Sequence, residues 1–228
     1  MLYLIGLGLN IDGISAYGLK VVQQCKKVYL ESYTVDLPYF VEGLEKIIEK
    51  KITIVDREFV ESLRIVDEAK KQDVALLVYG SPLVATTHIT LVQEAKLSGV
   101  RCKVIHAASI IDAVAETGLQ LYKFGKIASI PKHEADSFTE VIKDNQKINA
   151  HTLLLVDIGL DFGEALDRLE KVKIDKIVVC SRLGMGQSEI IYEKIGNLEG
   201  REVQKPYCII IPGKLHFLEE EVLKSFSQ

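Results

Sequence analysis

No apolar run in this chain of 228 residues approaches the ~20 needed to span a bilayer, and the N-terminus lacks the charge pattern of a signal peptide. A soluble product is expected, with no membrane partner. Basic stretches are equally scarce. Lys and Arg number 28 against 32 Asp and Glu, for a net charge of -4. The longest basic runs, Lys26-Lys27 and Glu49-Lys50-Lys51, read as solvated helix ends, so a nucleic-acid partner, which would want a basic stripe, is not expected. The four cysteines (Cys25, Cys102, Cys180 and Cys208) lie far apart in apolar contexts and form no Cys-x-x-Cys. That argues against a zinc or disulfide framework and for a reducing, cytoplasmic setting. The five histidines show no metal-ligand spacing, so no metal is expected. Internal repeats and low-complexity segments are missing too.

What is present is core material: 48% of residues are hydrophobic, enough for one large domain or two small ones. The most informative stretch is Asp73–His88. Val74–Val78 reads as a strand buried on both faces, broken at Gly80-Ser81-Pro82, with a helix restarting after a cap at Thr86 or Thr87. A strand ending in such a loop places backbone N–H groups where open α/β sheets bind small molecules, although an ordinary strand–turn–helix has the same pattern. Met1–Leu9 is a second strand, running into Gly6-Leu7-Gly8. It is a poor dinucleotide fingerprint, because the third glycine would fall at Ile11 and no acidic partner follows at the ribose position. The glycines suit either a tight turn or a close approach of backbone to a ligand.

The remaining pattern alternates strand and helix. Ser15 caps a helix carrying Leu19, Val22 and Cys25; Lys27–Glu31 is a strand; Phe40, Val41, Leu44, Ile47 and Ile48 share a helical face. After strand Ile52–Val55, Asp56 caps a helix burying Phe59, Leu63 and Val66. Leu91, Val92 and Ala95 face inward before Gly99, and Arg101–His106 is the next strand. Gly118–Gly125 breaks the pattern and suggests a boundary between domains 1–120 and 121–228. Strands Ile127–Ile130, Thr152–Asp157 and Lys176–Arg182 then alternate with helices Ala135–Asp144 and Phe162–Lys171. Period two at Ser188–Lys194, an apolar strand at Tyr207–Ile211 and a closing helix at His216–Ser225 follow. The fold class is α/β in two domains, the first with a mostly parallel sheet and the second with a mixed one.

Five blocks occur in this order: Gly6-Leu7-Gly8-Leu9, Gly80-Ser81-Pro82-Leu83-Val84-Ala85-Thr86-Thr87-His88, Ile105-His106-Ala107-Ala108-Ser109-Ile110, Tyr122-Lys123-Phe124-Gly125-Lys126 and Pro212-Gly213-Lys214-Leu215-His216. Together they resemble the diphthine synthases of the archaeal kind, in the tetrapyrrole-methylase-like class of S-adenosylmethionine (AdoMet)-dependent methyltransferases. The resemblance runs from residue 1 to about the last helix. It implies a cofactor cleft between the two domains, a homodimer, and methylation of the amino group on a modified histidine of translation elongation factor 2, a step of diphthamide synthesis. It places AdoMet contacts on Leu9, Ser81, Val84, Ser109, Ile110, Val156, Leu183, Pro206, Tyr207 and Cys208. Two departures stand out. Ser81 occupies the acidic position of the usual Gly-Asp-Pro motif, and the segments after Ile130 and around Leu160–Glu164 are short.

Repeated methylation of an amine needs a proton acceptor whenever the nitrogen still carries a proton. Water, Asp157 and His216 are candidates, and Lys214 could favour the neutral amine or hold a substrate carboxylate. Each also has a plain structural alternative, as cap, turn or solvated residue. Lys123 and Lys126 could touch a protein substrate, and His88 and His106 are expected to be structural. Two other functions compete. A methylase of a tetrapyrrole precursor would want several arginines, yet only Arg182 lies near a strand end. A non-catalytic nucleotide-binding sensor could use the same glycine loops.

Overall fold

The first strand, β1 (Leu2–Gly6), is followed by α1 (Ala16–Gln24), β2 (Lys27–Glu31), α2 (Val41–Ile48), β3 (Thr53–Val55), α3 (Arg57–Glu61), α4 (Arg64–Ala69), β4 (Val74–Val78), α5 (Ile89–Leu97) and β5 (Cys102–Ile105). The computed structural model describes residues 1–227 and divides into two compact units, Met1–Ile111 and the chain from Asp112 onward. In the first unit every strand pair is parallel, in the order β3-β2-β4-β1-β5. Strand periodicity divides the apolar residues between two faces. Leu2, Leu4, Leu76 and Val78 pack with Ile65, Leu91 and Ala95 of α4 and α5, while Ile5, Ala75 and Leu77 pack with Val22, Leu44 and Ile48 of α1 and α2. All five residues of β4 are buried, which is why that stretch reads as an unbroken apolar run.

Local signals set most helix starts. The Ser15 hydroxyl accepts from the Gly18 N–H at 3.0 Å, and the Asp56 carboxylate from the Phe59 N–H at 2.8 Å. Three expectations are corrected. The helix after Asp56 is two short helices, because Leu63 takes a left-handed conformation (φ 61°); Val60, Ile65 and Val66 are the buried residues, while Phe59 and Leu63 are only partly covered. Phe40 precedes α2 and is 84% exposed. The cap position of α5 belongs to His88 rather than Thr86 or Thr87, since the Thr86 hydroxyl donates to the Pro82 carbonyl at 2.6 Å inside the loop.

The short helix α6 (Ile110–Ala113) carries the chain from the first unit into the second and leads into 3-10 turns at Val114–Thr117 and Leu121–Lys123. Then come β6 (Ala128–Ile130), α7 (Ser137–Lys147), β7 (Thr152–Val156), α8 (Phe162–Leu169), β8 (Lys176–Ser181), β9 (Glu189–Lys194), β10 (Tyr207–Ile211) and α9 (Phe217–Lys224). The second sheet is mixed, as expected, in the order β6-β7-β10-β8-β9. β6 and β7 are parallel, whereas β10 is antiparallel to both β7 and β8. Phe138, Ile142, Phe162, Leu166 and Leu169 cover one face over Leu154, Val179 and Ile209. Among the described residues no helix is long and apolar enough to cross a membrane.

Candidate functional site

β1 and β4 are neighbours, but the chain leaves β1 toward β2 and leaves β4 toward β5, in opposite directions across the sheet. Their carboxyl ends therefore form a switch point, where an open α/β sheet has room for a ligand. The two loops are stitched together there. Gly8 donates to the Gly80 carbonyl at 3.1 Å and Gly80 to the Gly8 carbonyl at 2.9 Å. Both glycines have φ near +70°, a region side-chain-bearing residues avoid. A Cβ on Gly6 would stand 2.6 Å from the Gly80 oxygen and 2.9 Å from the Ala107 Cβ, so the loop after β5 joins the other two.

The first five cofactor candidates fall on this three-loop rim. Leu9 is buried and its carbonyl accepts from the Tyr79 hydroxyl at 2.9 Å. Ser81 is buried, with its Oγ 3.2 Å from Nδ1 of the exposed His106 ring. The Val84 N–H closes a turn onto the Ser81 carbonyl at 3.0 Å. Ser109 is buried, with its Cα 4.0 Å from where a Gly80 Cβ would sit, and Ile110 is half-buried at the start of α6. Nothing in the sequence marks Tyr79 as the group that fixes Leu9, although a tyrosine beside a strand-end glycine offers a rigid body with a polar tip.

The other five candidates gather at one edge of the second sheet. Leu155 of β7 and Ser181 of β8 lie opposite Cys208 and Tyr207, so the ends of β7 and β8 flank the start of β10. Val156 is half-buried and Leu183 buried. The Lys205–Pro206 peptide is cis. Arg182 donates from its backbone to the Pro206 carbonyl and from Nε to the Lys205 carbonyl, both at 2.9 Å. The side chains of Tyr207 and Cys208 are buried, the Tyr207 hydroxyl reaching the Leu160 carbonyl at 3.3 Å.

Of the three proton-handling candidates, Asp157 and His216 make side-chain hydrogen bonds within the fold. Asp157 accepts from the Lys132 N–H at 3.1 Å and so ties down the loop after β6. His216 caps α9, its Nδ1 accepting from the Leu218 N–H at 3.4 Å. Lys214 is exposed, and its carbonyl accepts from Lys123 Nζ at 2.9 Å. The expectation for Lys123 is overturned: its ammonium is turned inward, onto Glu219. The fully buried Glu219 also accepts from the His216 N–H at 2.7 Å, the Gln120 N–H at 3.0 Å and His151 Nε2 at 3.1 Å. The second ring nitrogen of His151 accepts from the Gly213 N–H at 2.9 Å. Burial alone would push the Glu219 carboxyl up, but these four donors outweigh it and hold the group near about 2. Burial lowers His151 below the usual histidine value. This network, which no sequence pattern announces, knits the Tyr122–Lys126 block to the Pro212–His216 block.

The profile of the tetrapyrrole (corrin/porphyrin) methylases matches residues 1–199. A diphthine synthase of Methanocaldococcus jannaschii is 40% identical to this chain, with 98% of each covered. One from Methanococcus maripaludis is 39% identical, again over 98% of each; the alignment runs over 249 positions, so the relative carries insertions that this shorter chain lacks. A crystal structure of diphthine synthase superposes with a TM-score of 0.93 at 36% identity, over 99% of this chain and 95% of that one. The chain belongs to the tetrapyrrole methylase family, in its diphthine synthase branch, and is a methyltransferase.

Proposed function

We propose that the protein transfers methyl groups from AdoMet to the amino group of the modified target histidine of elongation factor 2, trimethylating it to form diphthine. The observation that carries this reading is the rim of three interlocked loops at the switch point, in a chain similar end to end to diphthine synthases. AdoMet supplies a methyl group already activated on a sulfonium, which the amine's electron pair displaces as the C–S bond breaks and the N–C bond forms. The rim suits such a group. Gly6, Gly8 and Gly80 strip it of side chains, leaving main-chain donors and acceptors at Leu9, Ser81, Val84, Ser109 and Ile110 as the proposed contacts. Ser81 contributes a hydroxyl but no charge, so attraction for the sulfonium is weaker than an aspartate there would provide. Val156, Leu183, Pro206, Tyr207 and Cys208 are proposed as further contacts of the donor. Alignment of the two reactants is the protein's largest contribution. Solvent is the proposed acceptor of the proton; His216 Nδ1 is engaged by the Leu218 N–H, and Asp157 has one of its two oxygens on the Lys132 N–H. The protein is placed in the cytoplasm as a homodimer, in keeping with its four free cysteines and the resemblance.

The family's description favours a second reading, methylation of a tetrapyrrole precursor. A substrate rich in carboxylates wants free guanidinium groups, and Arg182 spends Nε on the Lys205 carbonyl. Calorimetry with AdoMet, NAD and ATP tests the donor. AdoMet alone is expected to bind, and Ser109→Trp, which fills the rim, is expected to abolish that binding with the fold retained. Binding of NAD or ATP without AdoMet would reject the methyltransferase reading in favour of a nucleotide sensor.

A further inference from the structure

We propose that His88 is a positioning residue for the methyl donor, holding the Pro82 carbonyl and with it the Gly80–Val84 loop; this rests on the donor site proposed above. The His88 ring is 1% exposed and makes no capping bond to its own helix. Its Nδ1 lies 3.0 Å from the Pro82 carbonyl and its Nε2 lies 3.1 Å from the Tyr33 hydroxyl. A carbonyl only accepts, so Nδ1 carries the hydrogen. In the neutral ring Nε2 is then the acceptor, and Tyr33 must donate. Tyr33 is suited to that role: burial, aided by Glu31, pushes its hydroxyl up to about 12, so the proton stays in place.

Tyr33 is itself anchored. Its N–H donates at 3.2 Å to Glu31, a buried carboxylate at the end of β2 that also receives the N–H and hydroxyl of Thr34. The Arg57 guanidinium lies 5.3 Å from the centroid of the Tyr33 ring. A chain of contacts therefore runs from the β2 end through Tyr33 and His88 to Pro82. Proline offers no N–H, so the carbonyl is the one main-chain polar group by which Pro82 can be held. Thr86 supplies a second donor to that carbonyl, so losing His88 frees the loop's position rather than stranding a buried acceptor.

Two variants separate the ring's two bonds. In His88→Asn the amide nitrogen stands near the Nδ1 position and can keep donating to Pro82; in His88→Gln the amide group reaches toward the Nε2 position, where its oxygen can accept from Tyr33 instead. AdoMet affinity is measured by calorimetry on protein shown to be folded by circular dichroism. The Asn variant is expected within about threefold of wild type and the Gln variant about tenfold weaker, with KM for the protein substrate unchanged in both. Equal affinity of the two variants overturns the proposal, since a purely structural histidine would show no such order. Should His88→Gln fail to fold, Tyr33→Phe carries the test: weaker donor binding supports the relay and wild-type binding refutes it. Ser109→Trp distinguishes the two levels. If it still binds AdoMet, the donor site itself is misplaced; if it does not, and the His88 variants are indistinguishable, only the role of His88 fails.

Discussion

At Gly6 there is no room for even one more carbon atom: its Cβ would collide with the Gly80 oxygen and the Ala107 methyl, both parts of other loops. Gly6→Ala is therefore expected to cost about 1–3 kcal/mol of stability, as overpacking does, and to weaken AdoMet binding roughly tenfold by forcing the rim apart. Gly163→Ala is the contrasting control. It lies inside α8 with nothing within 4 Å of a new Cβ, so it should stabilise by about 0.5–1 kcal/mol through helix propensity. Thermal unfolding and calorimetry check both. Individual residues differed in how far their roles could be read from sequence. Gly6, Gly8 and Gly80 stand out in the sequence, which leaves tight turn and close approach open; the fold shows close approach to other loops at Gly6 and left-handed backbone at Gly8 and Gly80. Lys123 and Glu219 do not announce themselves, since a lysine beside a loop and a glutamate in a first helical turn are ordinary surface residues until a fold of 96 residues' separation brings them together.

Elements show the same division. Ser15 and Asp56 mark their helices because a cap is a contact three residues away. The break at Leu63 is unmarked, because leucine is a good helix former and only packing imposes its left-handed conformation. α9 is held at its start by the Glu219 network, which sets a pH dependence. The native Glu219 carboxyl stays ionised down to about 2, well below its ordinary 4.5, so its stabilisation is complete above pH 4.5 and lost as pH falls toward 2. His151 acts in the same sense at higher pH: unfolded chains take up a proton near 6.5 that the buried ring resists, so stability declines on acidification below that value. Urea unfolding across pH 7 to 2 should show both declines. Glu219→Gln should lower stability at neutral pH by about 3 kcal/mol, the scale of breaking a buried pair, and should flatten the lower decline. His216→Ala removes a cap and is expected to cost about 1 kcal/mol or less, with the methyl-transfer rate unchanged. A lost rate at unchanged stability would instead put His216 in the chemistry.

For the molecule as a whole, the alternation of strands and helices predicts the α/β class and the mixed second sheet, yet not the strand order. Tyr207–Ile211 reads as a buried strand, but its insertion between β7 and β8 depends on pairings more than twenty residues away that local periodicity does not encode. The same limit hides the second group of donor candidates, which come together only because β10 runs against its two neighbours. The first sheet is more readable, since the loops after β1, β4 and β5 each carry small residues where its parallel strands end. The most direct measurement incubates the protein with AdoMet and elongation factor 2 carrying the unmethylated diphthamide precursor, followed by mass spectrometry of the target peptide. Mass increments of up to three methyl groups, confined to the modified histidine and lost with Ser109→Trp, are predicted. An unchanged peptide, beside a tetrapyrrole precursor that the same protein methylates, would contradict the account.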